Sequence, residues 1–450
     1  MDGVHDAERL KELQSLPLER KIQITQARII EWYQHYDGQV CVSFSGGKDS
    51  TVLLHIARQL YPGIPAVFSN TGLEYAAIQR FVKTYENVDI IVPQMRFDEV
   101  ISTYGYPLIG KEVAEAIHYA RRIRSQSVNV ERENRSAPQT GTPRYSETNL
   151  RRLDLLCKRS GNASKWGGAE LPPYPDEQCE KQTDSSQRKD ARSRGSEVFW
   201  KRTELTGRYP GERNSTGVAG QTKSQFNKEK WLPLCRDVPI LISHYCCHKM
   251  KKQPMHKYQR ANGYKPILAT LAEESRVRKQ AWIRHGCNAF ESSAPLSQPM
   301  AFWTEHDVLS YLVKYNLPIA SVYGEIVSIG SDGNAYPPSD VMGNPLCNLK
   351  CTGCQRTGCV YCAFGAHLEK KGETRFQQLA KLEPRKYEYA IGGGQWSDNP
   401  YYDPVAPEYD GEWKNWNPKK IWTPSKQGLG LGKAFDMVNE LYGKDFIRYE

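Results

Sequence analysis

Short apolar runs alternate with helical patterns over the first hundred residues. VCVSF and IPAVFSN are followed by STVLLHIARQL and EYAAIQRFVKTY, which have apolar residues at helical spacing, and VDIIV comes next. Strand–helix–strand repetition of this kind predicts βαβ units and a parallel sheet. The pattern therefore predicts an α/β fold, in which ligands bind at the carboxyl ends of the strands.

Residues 122–228 break this pattern. The stretches SQSVNVERENRSAPQTGTPRYSETN and KQTDSSQRKDARSRGSE are polar and rich in serine and arginine, with little periodicity. Between Arg121 and Lys230 there are 23 lysines and arginines and 14 aspartates and glutamates. The excess of positive charge in this stretch, 23 − 14 = +9, is nearly all of the chain's net charge of +10. The composition predicts a basic, loop-rich and partly disordered insertion. It is either a nucleic-acid-binding arm or a solvated surface extension.

Helical and strand-like patterns return after the insertion. In FWTEHDVLSYLVKYN, Thr304 and Asp307 fit a capping box ahead of an apolar stripe, which predicts a helix. A cysteine-rich loop follows, and the aromatic residues of the tail are expected to pack a small cap. GLGLGK at 428–433 has no strand before it, so it predicts a turn ahead of a helix.

The chain has no run of about 18 apolar residues, so no membrane span is expected. The N-terminal stretch MDGVHDAERLKELQ lacks the apolar core of a signal peptide, and we expect a cytoplasmic protein. In a reducing compartment, the 12 cysteines favour metal or redox chemistry over disulfides.

The loop SGGKDST lies between the first predicted strand and the helix after it. Its glycines let the backbone approach a ligand, its hydroxyls are donors, and its lysine is a positive charge at a helix N-terminus. This combination predicts a phosphate cradle, although the spacing is not that of a Walker A loop. The candidate residues are Ser45, Gly46, Gly47, Lys48, Asp49, Ser50 and Thr51.

Several separated stretches resemble one known family. They are SGGKDS, NTGLEY at 70–75, CCHKMKKQP at 246–254, EESRVR at 273–278, SQPMAFWTEHDVLSYLVKYNLPIASVYG at 297–324 and RTGCVYCAFG at 356–365. In this order they resemble the phosphoadenosine phosphosulfate (PAPS) reductase family of the PP-loop ATP pyrophosphatase superfamily. The resemblance covers most of residues 20–120 and 230–370.

The resemblance implies a Rossmann-like fold of the adenine nucleotide alpha hydrolase type, acting at the α-phosphate of ATP or PAPS. Ser45–Thr51 would cradle phosphate or sulfate oxygens, and Lys48 would neutralise developing charge. Asp49 would cap the loop or hold Mg²⁺, and Arg276 would contact a phosphate or sulfate, unless it forms only a surface salt bridge. Thr71 and Gly72 would line the adenosine side. The expected segments are two parts of the nucleotide-binding domain, 1–121 and 229–345, the insertion 122–228 and a cysteine-rich, aromatic region, 346–450.

A Cys-Cys pair joined to a distant C-x-x-C resembles the [4Fe–4S] pattern of adenosine 5′-phosphosulfate (APS) reductases. That match implies Cys246, Cys247, Cys359 and Cys362 as ligands, with Cys354 an alternative to Cys247. The competing hypothesis is a four-thiolate zinc site built from Cys347, Cys351 and Cys354 with Cys359 or Cys362. Cys41 is expected to be a small core residue.

Three functions follow from the resemblance. The first is adenylylation of a substrate by ATP with release of pyrophosphate, for sulfur transfer to nucleic acid, with a sulfur-donor or electron-donor protein as partner. The second is PAPS or APS reduction, for which the sequence lacks the family's Glu-Cys-Gly-Leu-His nucleophile segment, having no cysteine after Cys362. The third is a non-catalytic, nucleotide-binding regulatory protein.

Overall fold

The computed structural model describes residues 5–119, 121, 229–404 and 416–450. The basic insertion predicted at 122–228 lies outside the described residues. The chain divides into two compact units. Unit 1 comprises Met1–Val100, Cys247–Cys362 and Arg375–Pro384, and unit 2 comprises Ile101–Cys246, Ala363–Thr374 and Arg385–Glu450. The four-segment division expected from the sequence stays a prediction.

The described helices are numbered along the chain. They are α1 (Ala7–Ser15), α2 (Leu18–His35), α3 (Lys48–Leu60), α4 (Ala76–Val82), α5 (Phe97–Tyr104), α6 (111–119), α7 (Leu232–Asp237), α8 (Gln253–Asn262), α9 (Arg276–His285), α10 (Glu305–Lys314), α11 (Arg375–Leu382), α12 (Pro384–Ile391) and α13 (Leu431–Tyr442). A π-helical turn, His248–Lys252, precedes α8.

The described strands are numbered in the same way. They are β1 (Val40–Ser43), β2 (Ala66–Ser69), β3 (Val88–Ile91), β4 (Leu108–Ile109), β5 (Lys265–Ile267), β6 (Asn288–Ala289), β7 (Leu296–Ser297), β8 (Ile326–Ile329), β9 (Ala335–Tyr336), β10 (Leu349–Cys351), β11 (Ala363–Phe364), β12 (Gln395–Asp398) and β13 (Lys420–Thr423).

Unit 1 is built on a six-stranded sheet with the order β3-β2-β1-β5-β7-β6. The sheet is parallel except where β6 pairs with β7. Val40, Cys41 and Val42 of β1 are fully buried because parallel strands are covered on both faces. The predicted α/β fold with a Rossmann-like parallel sheet is confirmed, and Cys41 is a core residue as expected.

A second, smaller sheet in unit 1 has the order β10-β8-β9 and is antiparallel. Its strand β10 ends at Cys351, so the cysteine-rich segment begins where this sheet ends. The segment continues with Thr352 and Gly353, whose backbone N–H groups donate to the carbonyls of Glu325 and Tyr323 at 2.9 and 2.8 Å. The course of the cysteine-rich segment is therefore fixed by backbone pairing.

Helix α10 has the capping box that the sequence predicts. The Thr304 side chain accepts from the Asp307 N–H, and the Asp307 carboxylate accepts from the Thr304 N–H at 2.7 Å. The same carboxylate forms a buried ion pair with Lys21 of α2, with Nζ and Oδ2 at 2.6 Å. The beginning of α10 is thereby joined to α2.

Unit 2 contains two small two-stranded sheets. β4 pairs with β11 in parallel, and β12 pairs with β13 in an antiparallel arrangement that brings the rings of Trp396 and Trp422 to 5.5 Å. Helix α13 begins directly after Gly430, which has a φ of +69° and whose carbonyl accepts from the Trp422 indole at 2.9 Å. The sequence GLGLGK is thus the turn before a helix, as predicted.

Arg121 borders the insertion on its N-terminal side. Its guanidinium donates to the carbonyls of Leu234, Cys235 and Ile240, and it lies 4.1 Å from the ring centre of Trp416. Because the acceptors lie in and just after α7, this side chain joins the two borders of the insertion within unit 2. None of the helices in the described ranges is both long and apolar enough to cross a membrane.

We expect Lys21→Met to destabilise unit 1 by about 3 kcal/mol, because it leaves the Asp307 carboxylate buried without its counter-charge. Urea unfolding followed by tryptophan fluorescence measures the change. Lys11→Met, on the exposed side of α1, is the control and should leave the midpoint unchanged. The double variant Lys21→Met/Asp307→Asn should recover part of the loss, and equal losses in the single and double variants would contradict the role of the pair.

Candidate nucleotide site and cysteine segment

The predicted phosphate loop joins β1 to α3 at the carboxyl edge of the parallel sheet. Gly46 has a φ of +71°, and a Cβ at this position would lie 2.6 Å from the Val82 side chain and 2.9 Å from that of Ile78. Only glycine fits both the backbone conformation and the space. Gly47 is the N-cap of α3 and provides no side-chain cap, so the first N–H groups of the helix depend on other partners.

Two hydroxyls of the first turn hold the loop closed. The Ser50 and Thr51 hydroxyls donate to the Gly47 carbonyl at 2.9 and 3.1 Å. The Ser50 oxygen also accepts from the Ser45 N–H at 3.2 Å and lies 3.0 Å from the Ser45 hydroxyl. These three side chains therefore shape the loop from within, and their predicted contacts with phosphate stay a prediction.

Lys48 is buried among oxygen atoms. Its Nζ lies 3.0 Å from Glu305 Oε1 and 3.7 Å from Asp49 Oδ1, and it donates to the Gln355 carbonyl at 3.3 Å. Burial acts to lower the pKa of Lys48, but the carboxylates of Asp49 and Glu305 outweigh it and the pKa is raised. The side chain therefore carries its positive charge at neutral pH.

Asp49 lies beside this lysine. Burial raises the pKa of its carboxyl, and the Lys48 ammonium opposes that rise. Its Oδ1 is buried and accepts no hydrogen bond from the described residues. An acceptor-only oxygen in this position fits the needs of a Mg²⁺ ligand.

The two arginines of EESRVR differ in their surroundings. Arg276, the predicted ligand, is exposed at the start of α9. Arg278 is partly buried and pairs with Glu274, which also accepts from Arg356. Burial lowers the pKa of Arg278, whereas the Asp49 carboxylate opposes this effect, so Arg278 lies within electrostatic reach of the phosphate loop. The two arginines are two residues apart on α9, so their side chains leave the helix in different directions. Which of them faces the phosphate loop depends on where α9 begins.

The NTGLEY turn follows β2. The Thr71 hydroxyl and N–H both donate to the Glu74 carboxylate, at 2.7 and 3.1 Å. Gly72 has a φ of +75° and open space beside its Cα. Glu74 also lies 3.9 Å from Lys251 Nζ. The Leu73 carbonyl of the same turn accepts from the Val360 N–H at 2.7 Å, so the turn contacts the cysteine segment, residues 351–362.

Lys251 brings two of the predicted cysteine ligands together. Burial acts to lower the pKa of Lys251, but Cys359, Glu74 and Cys247 outweigh it and the pKa is raised. Burial also raises the pKa of the Cys359 thiol, and the neighbouring Lys251 opposes the rise. Cys362 follows in a turn closed by its own N–H, which donates to the Cys359 carbonyl at 3.0 Å.

The remaining cysteines are distributed differently. Cys351 and Cys354 are both buried, and burial raises the pKa of Cys351 to about 11. The Cys354 sulfur lies 3.7 Å from Gln378 Oε1, Cys347 is exposed, and Cys246 is buried in unit 2. Among the described residues, no group of three or more His, Cys, Asp or Glu is close enough to hold a metal ion. That finding supports neither the predicted iron–sulfur ligands nor the competing zinc site.

An iron–sulfur cluster spaces its thiolates more widely than a single ion does. Cys247 and Cys359 both interact electrostatically with the half-exposed Lys251 ammonium, and Cys362 follows one turn further on. Thiols are the donors that such a cluster needs. The structure shows no more than this agreement in donor type, and the full set of cluster ligands stays a prediction.

Comparison with known families agrees with the loop geometry. Residues 39–155 match the family model of the phosphoadenosine phosphosulfate reductase domain, a range that includes the phosphate loop. These residues are thus similar to the PAPS reductase family of the PP-loop superfamily, and the match supports the family that the sequence predicts. It also supports the expectation of a sulfonucleotide-related enzyme family.

A curated relative to which this chain is similar is the adenosine 5′-phosphosulfate reductase of Bacillus cereus. The two are 29% identical over 87 residues, which is 18% of this chain. The matched part spans 37% of the relative's length.

The contrast between the two arginines is testable. Arg278→Ala should weaken binding of APS or ATP about 10-fold, because it removes a partly buried cation beside the loop. Arg276→Ala, an exposed neighbour on the same helix, should change the Kd less than twofold. Isothermal titration of both variants measures this, and a larger effect at Arg276 would support the assignment of Arg276 that the family resemblance implies.

The cysteine assignments are tested by metal content after anaerobic purification. Cys359→Ala should lower bound iron and sulfide severely, because it removes one of the thiolates beside Lys251. Cys347→Ala, at an exposed position, should leave iron unchanged. Unaltered iron in Cys359→Ala removes this residue from the ligand set, and zinc that is lost in Cys347→Ala would support the four-thiolate zinc site.

Proposed function

We propose that this chain binds an adenylyl nucleotide at Ser45–Thr51 and catalyses chemistry at its α-phosphate. The observation that carries the proposal is a lysine, Lys48, that is buried at a helix N-terminus after a glycine loop and kept charged by Asp49 and Glu305. A buried cation beside the N–H groups of a helix N-terminus stabilises negative charge that develops on phosphate oxygens.

With ATP as the nucleotide, the reaction is adenylylation. An acceptor oxygen attacks the α-phosphorus, the bond to the bridging oxygen of the β-phosphate breaks, and pyrophosphate leaves. Lys48 neutralises charge on the oxygens of the transferred phosphate, and Arg278 adds a second cation near Asp49. Asp49 would hold Mg²⁺, which when bound supplies Lewis-acid polarisation of the phosphate oxygens. Thr71 and Gly72 would line the adenosine side.

The acceptor we propose is nucleic acid, activated for sulfur transfer. Support comes from the excess of basic residues in 122–228, since lysines and arginines neutralise backbone phosphates. The sulfur would come from a donor protein. Cys246, Cys247, Cys359 and Cys362 would hold a [4Fe–4S] cluster, with Cys354 as the alternative to Cys247.

Sulfonucleotide reduction is the second candidate, and the APS reductase relative favours it. In that reaction a thiolate attacks the sulfur of the sulfonucleotide, and AMP or its 3′-phosphate leaves. Either reaction suits a reducing compartment, because none of the ten cysteines of the described residues forms a disulfide. We therefore propose a cytoplasmic location.

Two assays on the anaerobically purified protein distinguish these reactions. Release of pyrophosphate from ATP that depends on added RNA or DNA supports adenylylation. Release of sulfite from radiolabelled APS or PAPS in the presence of thioredoxin supports reduction. Nucleotide binding without either product identifies the chain as a non-catalytic regulatory protein.

In whichever assay gives product, Lys48→Ala should lower kcat about 100-fold and change the nucleotide Kd far less, because its charge matters most in the transition state. Lys83→Ala, on the surface after α4, is the matched control and should have the kcat and the nucleotide Kd of wild type. Equal losses in kcat and affinity would contradict the role given to Lys48.

A further inference from the structure

A tyrosine that sequence reasoning passes over lies at the mouth of the phosphate loop. Tyr323 ends a short 3₁₀ turn, Ser321–Tyr323, and its ring is buried. The Lys48 N–H donates to the Tyr323 hydroxyl at 3.4 Å, and a Cβ on Gly47 would lie 3.2 Å from the same oxygen. The hydroxyl therefore lies beside the backbone donors that would face a bound phosphate.

The hydroxyl is held from a second direction by the cysteine segment. The Thr357 Oγ1 lies 2.6 Å from the Tyr323 oxygen. Thr357 lies between Cys354 and Cys359, and the Gln355 carbonyl of the same segment accepts from Lys48 Nζ. Two contacts thus join this segment to the beginning of α3.

The phenolic proton of Tyr323 is free to be donated to a ligand in one arrangement of these hydrogen bonds. A phenolic oxygen accepts up to two hydrogen bonds and donates one. Either hydroxyl of the Tyr323–Thr357 pair can be the donor. In the arrangement in which Thr357 donates, the Lys48 N–H and the Thr357 hydroxyl fill the two acceptor positions of the phenolic oxygen, and its own proton remains to be donated. Burial raises the pKa of Tyr323, so the hydroxyl keeps that proton at neutral pH. In the described chain, Tyr323 has no other hydrogen-bond partner for it.

We propose that Tyr323 donates a hydrogen bond to a phosphate oxygen of the bound nucleotide, next to the N–H groups of Gly47 and Lys48. Thr357 is the positioning residue, because it fixes the direction in which the phenolic proton is donated. This inference rests on the proposed function, which places the α-phosphate at this loop. It assigns the cysteine segment a direct part in phosphate recognition.

The test compares AMP, which carries the shared α-phosphate, with adenosine, which lacks it. Isothermal titration is run on wild type, Tyr323→Phe and Tyr311→Phe. Tyr311 is the matched control, a buried tyrosine of the same unit whose hydroxyl lies 2.8 Å from His55 Nδ1. Tyr323→Phe should weaken AMP binding about 10-fold, the usual effect of losing a hydrogen bond to a charged group, and leave adenosine binding unchanged. Tyr311→Phe should bind both ligands as wild type does.

The positioning role has its own comparison. Thr357→Val should weaken AMP binding in the same direction as Tyr323→Phe, and Thr357→Ser should restore it because the hydroxyl is kept. Rescue by serine separates the hydrogen bond from a general effect on folding.

Three results would overturn the inference. AMP binding by Tyr323→Phe that equals or exceeds wild type would show that the hydroxyl only occupies the place of the ligand. Equal weakening of AMP and adenosine would show a structural role. Wild-type protein that binds AMP no more tightly than adenosine would overturn the proposed function together with the inference, whereas the first two results leave the proposed function intact.

Discussion

The buried charge of Lys48 is the constraint on which the candidate site depends. An ammonium at the N-terminus of α3 adds to the positive end of the helix dipole, so burying it is costly unless carboxylates are close. Asp49 supplies one from the same turn, and Glu305 supplies the other from α10. The site therefore requires α10 to begin at one particular place.

Several features of the sequence fix that place. Thr304, with Asp307, forms the capping box and is the N-cap of α10, so the helix begins at Glu305. The buried ion pair between Lys21 and Asp307 joins this turn to α2. A contact that looks purely structural thus positions the carboxylate that balances the Lys48 charge. Fold stability and site electrostatics share the same few side chains.

The cysteine segment is part of this polar network. Gln355 contacts Lys48 at the beginning of α3, and Thr357 contacts Tyr323, whose hydroxyl accepts from the Lys48 N–H. Cys359 interacts with Lys251 and Glu74, and Glu74 accepts hydrogen bonds from Thr71. Both strand-end loops, after β1 and after β2, are therefore linked to the same short stretch of chain.

Local pattern determined much of this protein. The apolar runs, their spacing and the SGGKDS loop predicted the parallel sheet, the β1–α3 turn and the family, because strand burial, glycine conformation and helix capping depend on neighbouring residues. Tertiary structure alone decided the rest. Glu305, Tyr323 and Thr357 lie far along the chain from Lys48, and no periodicity relates them to it. Arg278 and Arg276 lie on the same helix and differ only in the direction in which the helix turns them. Cys247 and Cys359 come together at Lys251 through the tertiary fold, and the spacing of the cysteines along the chain does not predict this.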